Sequence, residues 1–378
     1  MNYSKILLTA LSFALIQSCS DDDNIIELNP DNATLEASYD ATRLKIIPIE
    51  PTISGFENAT YTWKFGNEII GNEKTLGFVS DKAGDYDLTL EIKSLTDTKT
   101  LQTKIIVKQE TTTYNKYIAQ VFDYLPSIGQ FVNKLPAFVD GDKQAEMTAK
   151  AEKELIGKET GMISLGGFGG YVVFGFDHTI MNKVNKRDFK VLGNGFAGSS
   201  EPGIIMVAYD KNKNGKPDED EWYEIAGSEY KNPNTIKNYS ITFQKPTVED
   251  IIPNPEYVKW TDNQGKSGYK TKNSFHKQSY YPLWFGQNEL KFSGTLLPNN
   301  YSENNGIWTG KQYAYGYADN AQNSSEDSNI DIDWAVDKNG NPVKLMGIDF
   351  IKIYTGTNQE AGWLGEISTE VTGAYDLH

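Results

Sequence analysis

The sequence predicts a mostly β protein built from two β-sandwiches of unequal size, with a few helices. Short segments of alternating apolar and polar residues, separated by turn residues, recur between residues 33 and 110 and again from Ile163 onward. The composition agrees, because 38% hydrophobic residues with 22 Tyr and 33 Gly suit an all-β extracellular protein. The length of 378 residues allows two or three domains and a sizeable core.

The net charge of −15 narrows the range of partners. A protein that binds nucleic acid needs a basic surface to meet the phosphates. Here 51 acidic residues outnumber 36 basic ones, and no basic stripe is present in the sequence. We therefore expect no nucleic-acid partner.

The first 18 residues have the pattern of a targeting segment. Lys5 precedes an apolar run over residues 6–15, which is too short to span a bilayer. Cys19 follows this run, and an acidic run over residues 21–23 comes next. Cys19 is the single Cys of the sequence, so an intramolecular disulfide or a zinc-thiolate cluster is excluded.

This arrangement resembles the signal of a bacterial lipoprotein, in which the Cys is lipidated and becomes the mature N-terminus. The acidic run resembles the surface-export signal of Bacteroidetes lipoproteins. The resemblance implies a signal peptide over residues 1–18, a lipid on Cys19 and a flexible tether over residues 19–32. It also implies an outer-membrane, cell-surface location with the protein anchored by its lipid. The alternative is an ordinary secretory signal with an unrelated Cys.

Residues 33–110 show the spacing of a small β-sandwich, with five short strand patterns separated by turns. Two segments, Y-T-W-K-F-G over residues 61–66 and A-G-D-Y over residues 83–86, resemble the PKD-type immunoglobulin-like domain. In that family the Trp, here Trp63, packs in the core, and the G-x-Y segment opens a late strand. The resemblance implies a spacer or adhesion module.

Residues 111–378 are expected to form a larger β-rich, ligand-binding domain. Residues 115–124 and 143–156 have helical patterns, and the second is rich in Ala, Glu and Lys. The chain then returns to strand patterns over residues 166–176, 188–196 and 203–209. Their succession resembles the jelly-roll sandwiches of discoidin-like and carbohydrate-binding modules.

A calcium loop is predicted between two strand-like segments. Twelve residues from Asp210 match the pattern D-x-[DN]-x-[DN]-G-x5-E, which places oxygen atoms around a hard cation. Asp220 is an alternative to Glu221, because the flanking strands lack the helix that normally positions the twelfth residue. The ion would pin a long connection between strands; the alternative is an acidic turn that binds no ion. The predicted calcium ligands are Asp210, Asn212, Asn214, the backbone carbonyl of Lys216, Asp218 and Glu221.

A long segment over residues 249–316 is rich in Asn, Gly and aromatic residues. Long irregular segments in compact domains are commonly functional, and Tyr and Trp suit the binding of a large amphipathic ligand. We expect the ligand site here, although any of these rings could instead belong to the core. The predicted ligand-binding residues are Trp260, Tyr280, Tyr281, Trp284, Phe285, Trp308, Tyr313 and Tyr315.

Catalytic motifs are absent from the sequence. It contains three His, and neither G-x-S-x-G, H-E-x-x-H nor a phosphate-binding loop is present. We expect a protein that is not an enzyme, with glycoside hydrolysis by a carboxylate pair as the alternative.

The whole chain resembles a group of Bacteroidetes surface lipoproteins. The matching segments are residues 209–230, reading Y-D-x-N-x-N-G-x-P-D-x-x-E-W-Y-E-I-A-G-S-E-Y, and residues 361–371, reading A-G-W-L-G-E-x-S-T-E-V. The group is similar to surface proteins that capture cobalamin (vitamin B12). The resemblance implies cobalamin as the bound ligand and a TonB-dependent outer-membrane transporter as a partner. A carbohydrate-binding lipoprotein of a glycan-utilisation system and a purely adhesive or structural surface protein are the alternatives.

Overall fold

The computed structural model describes residues 32–157, 159 and 161–378. The signal peptide, Cys19 and the tether up to residue 31 lie outside the described residues. The described part is mostly β, with a small N-terminal sandwich and a larger body of several packed sheets, so the predicted fold class is confirmed. None of its helices has the length and apolar character needed to cross a bilayer.

The N-terminal module is built around a five-stranded sheet. Its order is β2-β9-β8-β5-β6, with β2 and β9 parallel and the other pairs antiparallel, and two small sheets, β1-β4 and β3-β7, complete it. Trp63 is fully buried in the module core, as the sequence predicts, and its indole nitrogen donates to the carbonyl of Glu73. The strands are β1 (Asn32–Thr34), β2 (Ser38–Thr42), β3 (Ile47–Ile49), β4 (Thr52–Ser54), β5 (Thr60–Phe65), β6 (Glu68–Gly71), β7 (Leu76–Phe78), β8 (Gly84–Lys93) and β9 (Thr98–Lys108).

The body follows after residue 110 and contains most of the chain. Four short 3-10 helices lie at Glu219–Glu221, Glu326–Ser328, Ile332–Trp334 and Gly362–Leu364. The other elements are β10 (Gln120–Leu125), α1 (Gln144–Leu155), β11 (Ile163–Ser164), β12 (Tyr171–Met181), β13 (Phe189–Leu192), β14 (Gly203–Ala208), β15 (Tyr223–Ile225), β16 (Ile236–Gln244), β17 (Asn254–Asp262), β18 (Ser267–Lys272), β19 (Glu289–Leu296), β20 (Tyr301–Asn304), β21 (Ile307–Gly310), β22 (Asn329–Ile330), β23 (Ala335–Val336), β24 (Gly347–Thr355), β25 (Glu370–Val371) and β26 (Gly373–Asp376).

A six-stranded antiparallel sheet in the order β10-β12-β24-β14-β15-β23 forms the centre of the body. Its apolar face packs with α1 and with the three-stranded sheet β22-β13-β26 in the largest hydrophobic cluster. The four-stranded sheet β18-β17-β16-β19 has a separate core, which includes Phe168, Tyr280 and Tyr281. Two short antiparallel pairs, β11-β25 and β20-β21, complete the body, and β11-β25 contributes Ile163 and Val371 to the largest hydrophobic cluster.

One of the two predicted helices is a strand. Residues 143–156 contain α1, but residues 115–124 lead into β10, which pairs with β12. The buried residues Ile118, Val121 and Tyr124 are spaced by three, which is typical of a helix. A β-bulge between Val121 and Asp123 produces the step from Val121 to Tyr124, because an extra residue returns the next side chain to the same face of the sheet, whereas Ile118 precedes the strand.

The module and the body share a packed interface. A Cβ placed on Gly77 of β7 would lie 2.9 Å from the ring of Tyr209, so the absence of a side chain at Gly77 lets the ring approach. Tyr209 also donates from its hydroxyl to the carbonyl of Thr75. Lys183 pairs with Asp81 across the same boundary at 2.6 Å. These contacts fix the two parts relative to one another.

Candidate functional site

The predicted calcium loop connects β14 to β15, which are antiparallel neighbours. Asp210 accepts hydrogen bonds from the backbone N–H groups of Asn214 and Gly215, at 3.0 and 2.7 Å. The side-chain amides of Asn212 and Asn214 both approach Asp218 Oδ2, at 2.6 and 2.7 Å. The side chains at the third, fifth and ninth places of the pattern therefore meet at one point.

Glu221, the twelfth residue of the loop, is buried. Its two carboxylate oxygens accept the backbone N–H groups of Lys211 and Asp218, so it joins the start of the loop to its end. Asp220, the alternative ligand, is exposed. The donor set of carboxylates and amide oxygens fits a hard cation such as Ca²⁺ once the two amides turn their oxygens inward. Calcium binding by this loop stays a prediction.

Two of the predicted ligand-binding aromatics are core residues. Tyr280 and Tyr281 are 0% exposed, so neither ring reaches the surface of the body. The hydroxyl of Tyr280 accepts from the backbone N–H of Asn273, and that of Tyr281 donates to the carbonyl of Gln287. Their burial is explained by the four-stranded sheet, which packs these rings against Ile128 and other residues distant in sequence.

The other six predicted aromatics are dispersed over the body. Tyr313 is buried with its hydroxyl on the carbonyl of Pro298, and Tyr315 lies against Trp334. Trp284 packs against α1 and donates to Gln144. Trp260 and Phe285 lie partly buried against the core of the four-stranded sheet. These residues do not converge on one surface, whereas Trp308 packs beneath the Gly362–Leu364 turn, next to the cavity described below.

A cavity of about 330 Å³ opens where four loops of the body meet. Two exposed rings, Phe275 and Trp363, line it with 69% and 61% of their surface accessible. Phe275 follows β18, and Trp363 lies in the turn between β24 and β25. The full lining comprises Gln130, Phe131, Ser199, Glu201, Asn273, Phe275, His276, Tyr301, Trp363, Leu364, Glu366 and Ile367. We name it the aromatic cavity.

Planar polar groups form the wall of the aromatic cavity. Gln130 donates to the carbonyl of Leu364 at 2.9 Å and accepts from the amide of Asn273 at 2.6 Å. A Cβ on Gly365 would lie 2.6 Å from Gln130 Oε1, and Gly365 has a φ of 93°, so glycine is required for this approach. Asn273 in turn accepts the backbone N–H groups of Phe275 and His276. This network orients the loop that carries Phe275.

Glu366 is a buried carboxyl group on the same cavity. It is 3% exposed, its Oε1 accepts the backbone N–H of Gln130, and its Oε2 has no hydrogen-bond partner among the described residues. Burial raises the pKa of Glu366 to about 8. His276, in the loop that follows β18, also lines the cavity, and its pKa is lowered by burial and by the charge of Lys134. Burial therefore favours the neutral form of both groups.

Three further carboxyl groups lie together behind the cavity. One oxygen each of Glu201, Asp319 and Glu370 lies within 4.8 Å of the others, and Glu201 also lines the aromatic cavity. Burial and mutual repulsion raise the pKa of Glu201 and of Asp319 well above their usual values, and burial raises that of Glu370. We name these three residues the acidic triad.

The sequence contained two signals for this site. The aromatic-rich segment of residues 249–316 supplies Phe275, and Trp363 stands between Gly362 and Gly365, which form a turn with positive φ angles. The acidic triad carried no such signal, because its members come from three separate segments.

Comparisons with known proteins support the fold of the module. Residues 34–94 match the model of the PKD-like domain. A search of curated proteins found no match.

Solved structures give distant similarities. The fibronectin(III)-like modules of CbhA from Clostridium thermocellum align with 16% identity and a TM-score of 0.18, over 21% of this chain and 100% of that one. A quinoprotein alcohol dehydrogenase-like protein from Bacteroides thetaiotaomicron aligns with 11% identity and a TM-score of 0.19, over 64% of this chain and 50% of that one. A SusE-like protein aligns with 8% identity and a TM-score of 0.30, over 92% and 95% of the two chains. These scores are too low to transfer a function.

Proposed function

We propose that this protein is a surface lipoprotein that binds a carbohydrate in the aromatic cavity. The observation that carries the proposal is the pair of exposed rings, Phe275 and Trp363, above a wall of amide and carboxyl groups. Single exposed apolar residues are ordinary on protein surfaces. Two rings on one cavity, with their loops held by the buried amides of Gln130 and Asn273, form a prearranged site.

The chemistry of a sugar ring fits both halves of this site. The C–H face of a pyranose packs on an aromatic ring, which supplies apolar contact area at low entropy cost. The sugar hydroxyls both donate and accept, so they pair with side-chain amides and carboxyl groups. The cavity volume of about 330 Å³ is at the small end of the range for small-molecule sites, which favours one or two sugar rings over a large ligand.

Cobalamin capture is the ligand assignment that the sequence resemblance implies. A corrinoid is several times larger than a sugar ring and requires a broad surface, and the predicted aromatics do not form one. Cobalamin therefore serves as the competing ligand in the test. A bound nutrient of either kind would be passed to a TonB-dependent transporter in the outer membrane.

The test is a Trp363→Ala variant. We expect it to lose about 2 kcal/mol of binding free energy, roughly thirtyfold in affinity, for the oligosaccharide that the wild-type protein binds best. Calorimetry against a panel of soluble oligosaccharides and cyanocobalamin measures the affinity, and thermal unfolding measures stability. Phe65→Ala is the matched control, because Phe65 is an exposed ring on the N-terminal module.

Three results would contradict the proposal. The wild-type protein binds no member of the panel, Trp363→Ala binds as well as the Phe65→Ala control, or cyanocobalamin binds and co-elutes with the protein on a desalting column while the sugars do not. The third result would restore cobalamin as the ligand.

The surface location has its own test. We expect Cys19→Ala to move the protein from the membrane fraction to the soluble fraction, because the variant lacks the thiol that would carry the lipid. Fractionation followed by immunoblotting measures the distribution, and Cys19→Ala retained on the membrane would refute the lipid anchor.

Glycoside hydrolysis is a second candidate for the same cavity. Two carboxyl groups, Glu201 and Glu366, line it, and hydrolysis of a glycosidic bond uses a pair of carboxyl groups. Incubation of the wild-type protein with a bound oligosaccharide, followed by chromatography of the products, decides the matter. An intact oligosaccharide after prolonged incubation identifies a binding protein.

A further inference from the structure

The acidic triad brings together two buried carboxyl groups, those of Asp319 and Glu370, and the half-buried Glu201. Glu201 precedes β14, Asp319 follows β21 in a long loop, and Glu370 opens β25, so three separate segments bring the groups together. Asp319 and Glu370 are both 2% exposed. One carboxylate oxygen from each of the three side chains lies within 4.8 Å of the other two.

No ion pair balances these acids within the described ranges. Asp319 Oδ1 accepts the backbone N–H groups of Asn194 and Gly195, both at 2.7 Å, and its Oδ2 accepts that of Glu370 at 2.9 Å. Glu370 accepts from the hydroxyl of Ser368. Two like charges 4 Å apart repel by about 4 kcal/mol at an effective dielectric constant of 20. A bound cation or added protons must therefore compensate the group.

A fourth carboxyl group supplies independent evidence for a ligand here. Glu366 lines the aromatic cavity together with Glu201, is 97% buried, and keeps Oε2 without a partner in the described part of the chain. A buried polar oxygen without a partner is costly, and such groups in native proteins usually meet a water, an ion or a ligand. Glu366 and Glu201 line the same cavity, so this unpartnered carboxyl group and one member of the triad border one open space.

The backbone of Asp319, one of the three acids, has a conformation that costs free energy. Asp319 has a φ of 50°, in the left-handed region that residues with a Cβ rarely adopt. The Asp319 carboxylate packs directly against Gly193. A Cβ on Gly193 would lie 2.1 Å from Asp319 Oδ1, so only glycine fits at position 193. This packing fixes the direction of the Asp319 carboxylate.

We propose that the acidic triad is a site for a divalent cation of the calcium class at the inner end of the aromatic cavity. Ca²⁺ bonds to oxygen at 2.3–2.6 Å, so oxygens across the ion lie up to about 5 Å apart, and a set within 4.8 Å fits around it. Carboxylates are the ligands that this class of ion prefers, and soft thiolate ligands are not part of the cluster. The inference concerns a second ion, separate from the 210–221 loop, and does not depend on which ligand fills the cavity.

The test counts bound calcium in variants of the full mature chain. In Asp210→Ala, which removes the first residue of the calcium loop, we expect one calcium to remain bound in equilibrium dialysis with radioactive calcium. In the double variant Asp210→Ala/Glu370→Gln, we expect none. Asp210→Ala/Asp250→Asn is the matched control, because Asp250 is an exposed acid outside both sites, and it should retain one ion.

The single variant decides the proposal even if the double variant fails to fold, because Asp210→Ala leaves the triad intact. An Asp210→Ala protein that is folded by circular dichroism and binds no calcium up to about 10 mM, ten times the weak limit for extracellular modules, overturns the proposal. In that case the acids share protons instead, and the variant would lose stability as the pH rises without any response to calcium. Calcium retained by the folded double variant would also overturn it.

Discussion

The buried imidazole of His178 lies between two carboxylates. Its Nδ1 is 2.8 Å from Asp177 and its Nε2 is 2.8 Å from Asp376. Burial alone lowers the pKa of an imidazole, but hydrogen bonds to Asp376 and Asp177, with their charges, outweigh it and raise the pKa of His178 above its usual value. The charged imidazole is therefore favoured in the folded protein relative to the unfolded chain.

This arrangement predicts a pH dependence of stability. Because the pKa is raised on folding, the contribution of His178 is fully present below its unfolded pKa of about 6.5 and is lost as the pH rises through the folded pKa. We expect the difference in unfolding free energy between the wild-type protein and His178→Asn to be constant well below about pH 6.5 and to shrink as the pH rises above it. Urea unfolding below and above this pH measures it, and a difference that stays constant with pH would contradict the assignment.

The sequence does not show which individual aromatic side chains are buried and which are exposed. Tyr280 and Phe275 stand five positions apart in the same polar segment, yet one is buried and the other exposed. The sequence predicts the ligand site in this segment, and Phe275, Asn273 and Tyr301 from it line the cavity that we propose as the carbohydrate site. Which ring faces solvent depends on partners such as Ile128, which only the tertiary structure brings near.

Among the elements, the 210–221 loop is the one that the sequence describes most fully. Its pattern predicts which side chains meet, and the contacts of Asn212 and Asn214 with Asp218 agree with the spacing. The β10 strand is the opposite case, because a bulge imitates the spacing of a helix. Sequence periodicity shows which residues share a face of an element. A helix and a bulged strand can give the same periodicity, so it does not distinguish between them here.

The loop also predicts a calcium effect on stability. Extracellular calcium modules bind with a Kd of about 10⁻⁴ to 10⁻³ M, so 1 mM calcium stabilises the folded protein by about 0.4 to 1.4 kcal/mol through this loop. We expect a chelator to lower the melting temperature of the wild-type protein by more than that of Asp210→Ala. Thermal unfolding with and without chelator measures both, and Lys213→Ala serves as a control on the same loop whose side chain is outside the pattern. Equal responses of Asp210→Ala and the wild-type protein would count against the loop.

At the scale of the whole molecule, the module and the body are joined by more than the chain. Tyr209 is 2% exposed, and its ring closes the boundary against Gly77 one residue before the calcium loop begins. The division into a small module and a larger body follows from the change in strand pattern near residue 110. The contact surface between the module and the body could not be predicted from the sequence. An apolar residue that packs across such a boundary has the same sequence pattern as one that packs within a single core.

The interface predicts cooperative unfolding. We expect calorimetry of the wild-type protein to show the module and body melting together, and Tyr209→Ala to separate them and cost about 3–5 kcal/mol, as for other large buried rings. Tyr209→Phe is the matched control, because it keeps the ring and loses only the hydrogen bond to Thr75, worth about 1 kcal/mol. A Tyr209→Ala protein that melts in one transition near the wild-type temperature would show that the contact does not couple the two parts.

The path of the chain through the module sets a stand-off distance. Asn32 accepts from Lys99 at one end of β9, whereas Lys108, at the other end, leads to the body. Nine residue steps of extended strand separate the two ends by about 30 Å. This length exceeds three Debye lengths at physiological ionic strength, each about 8 Å. With the proposed lipid anchor preceding Asn32, a module whose long axis points away from the membrane would hold the body beyond the electric field of an anionic lipid surface, where the net negative charge of the chain would not be repelled.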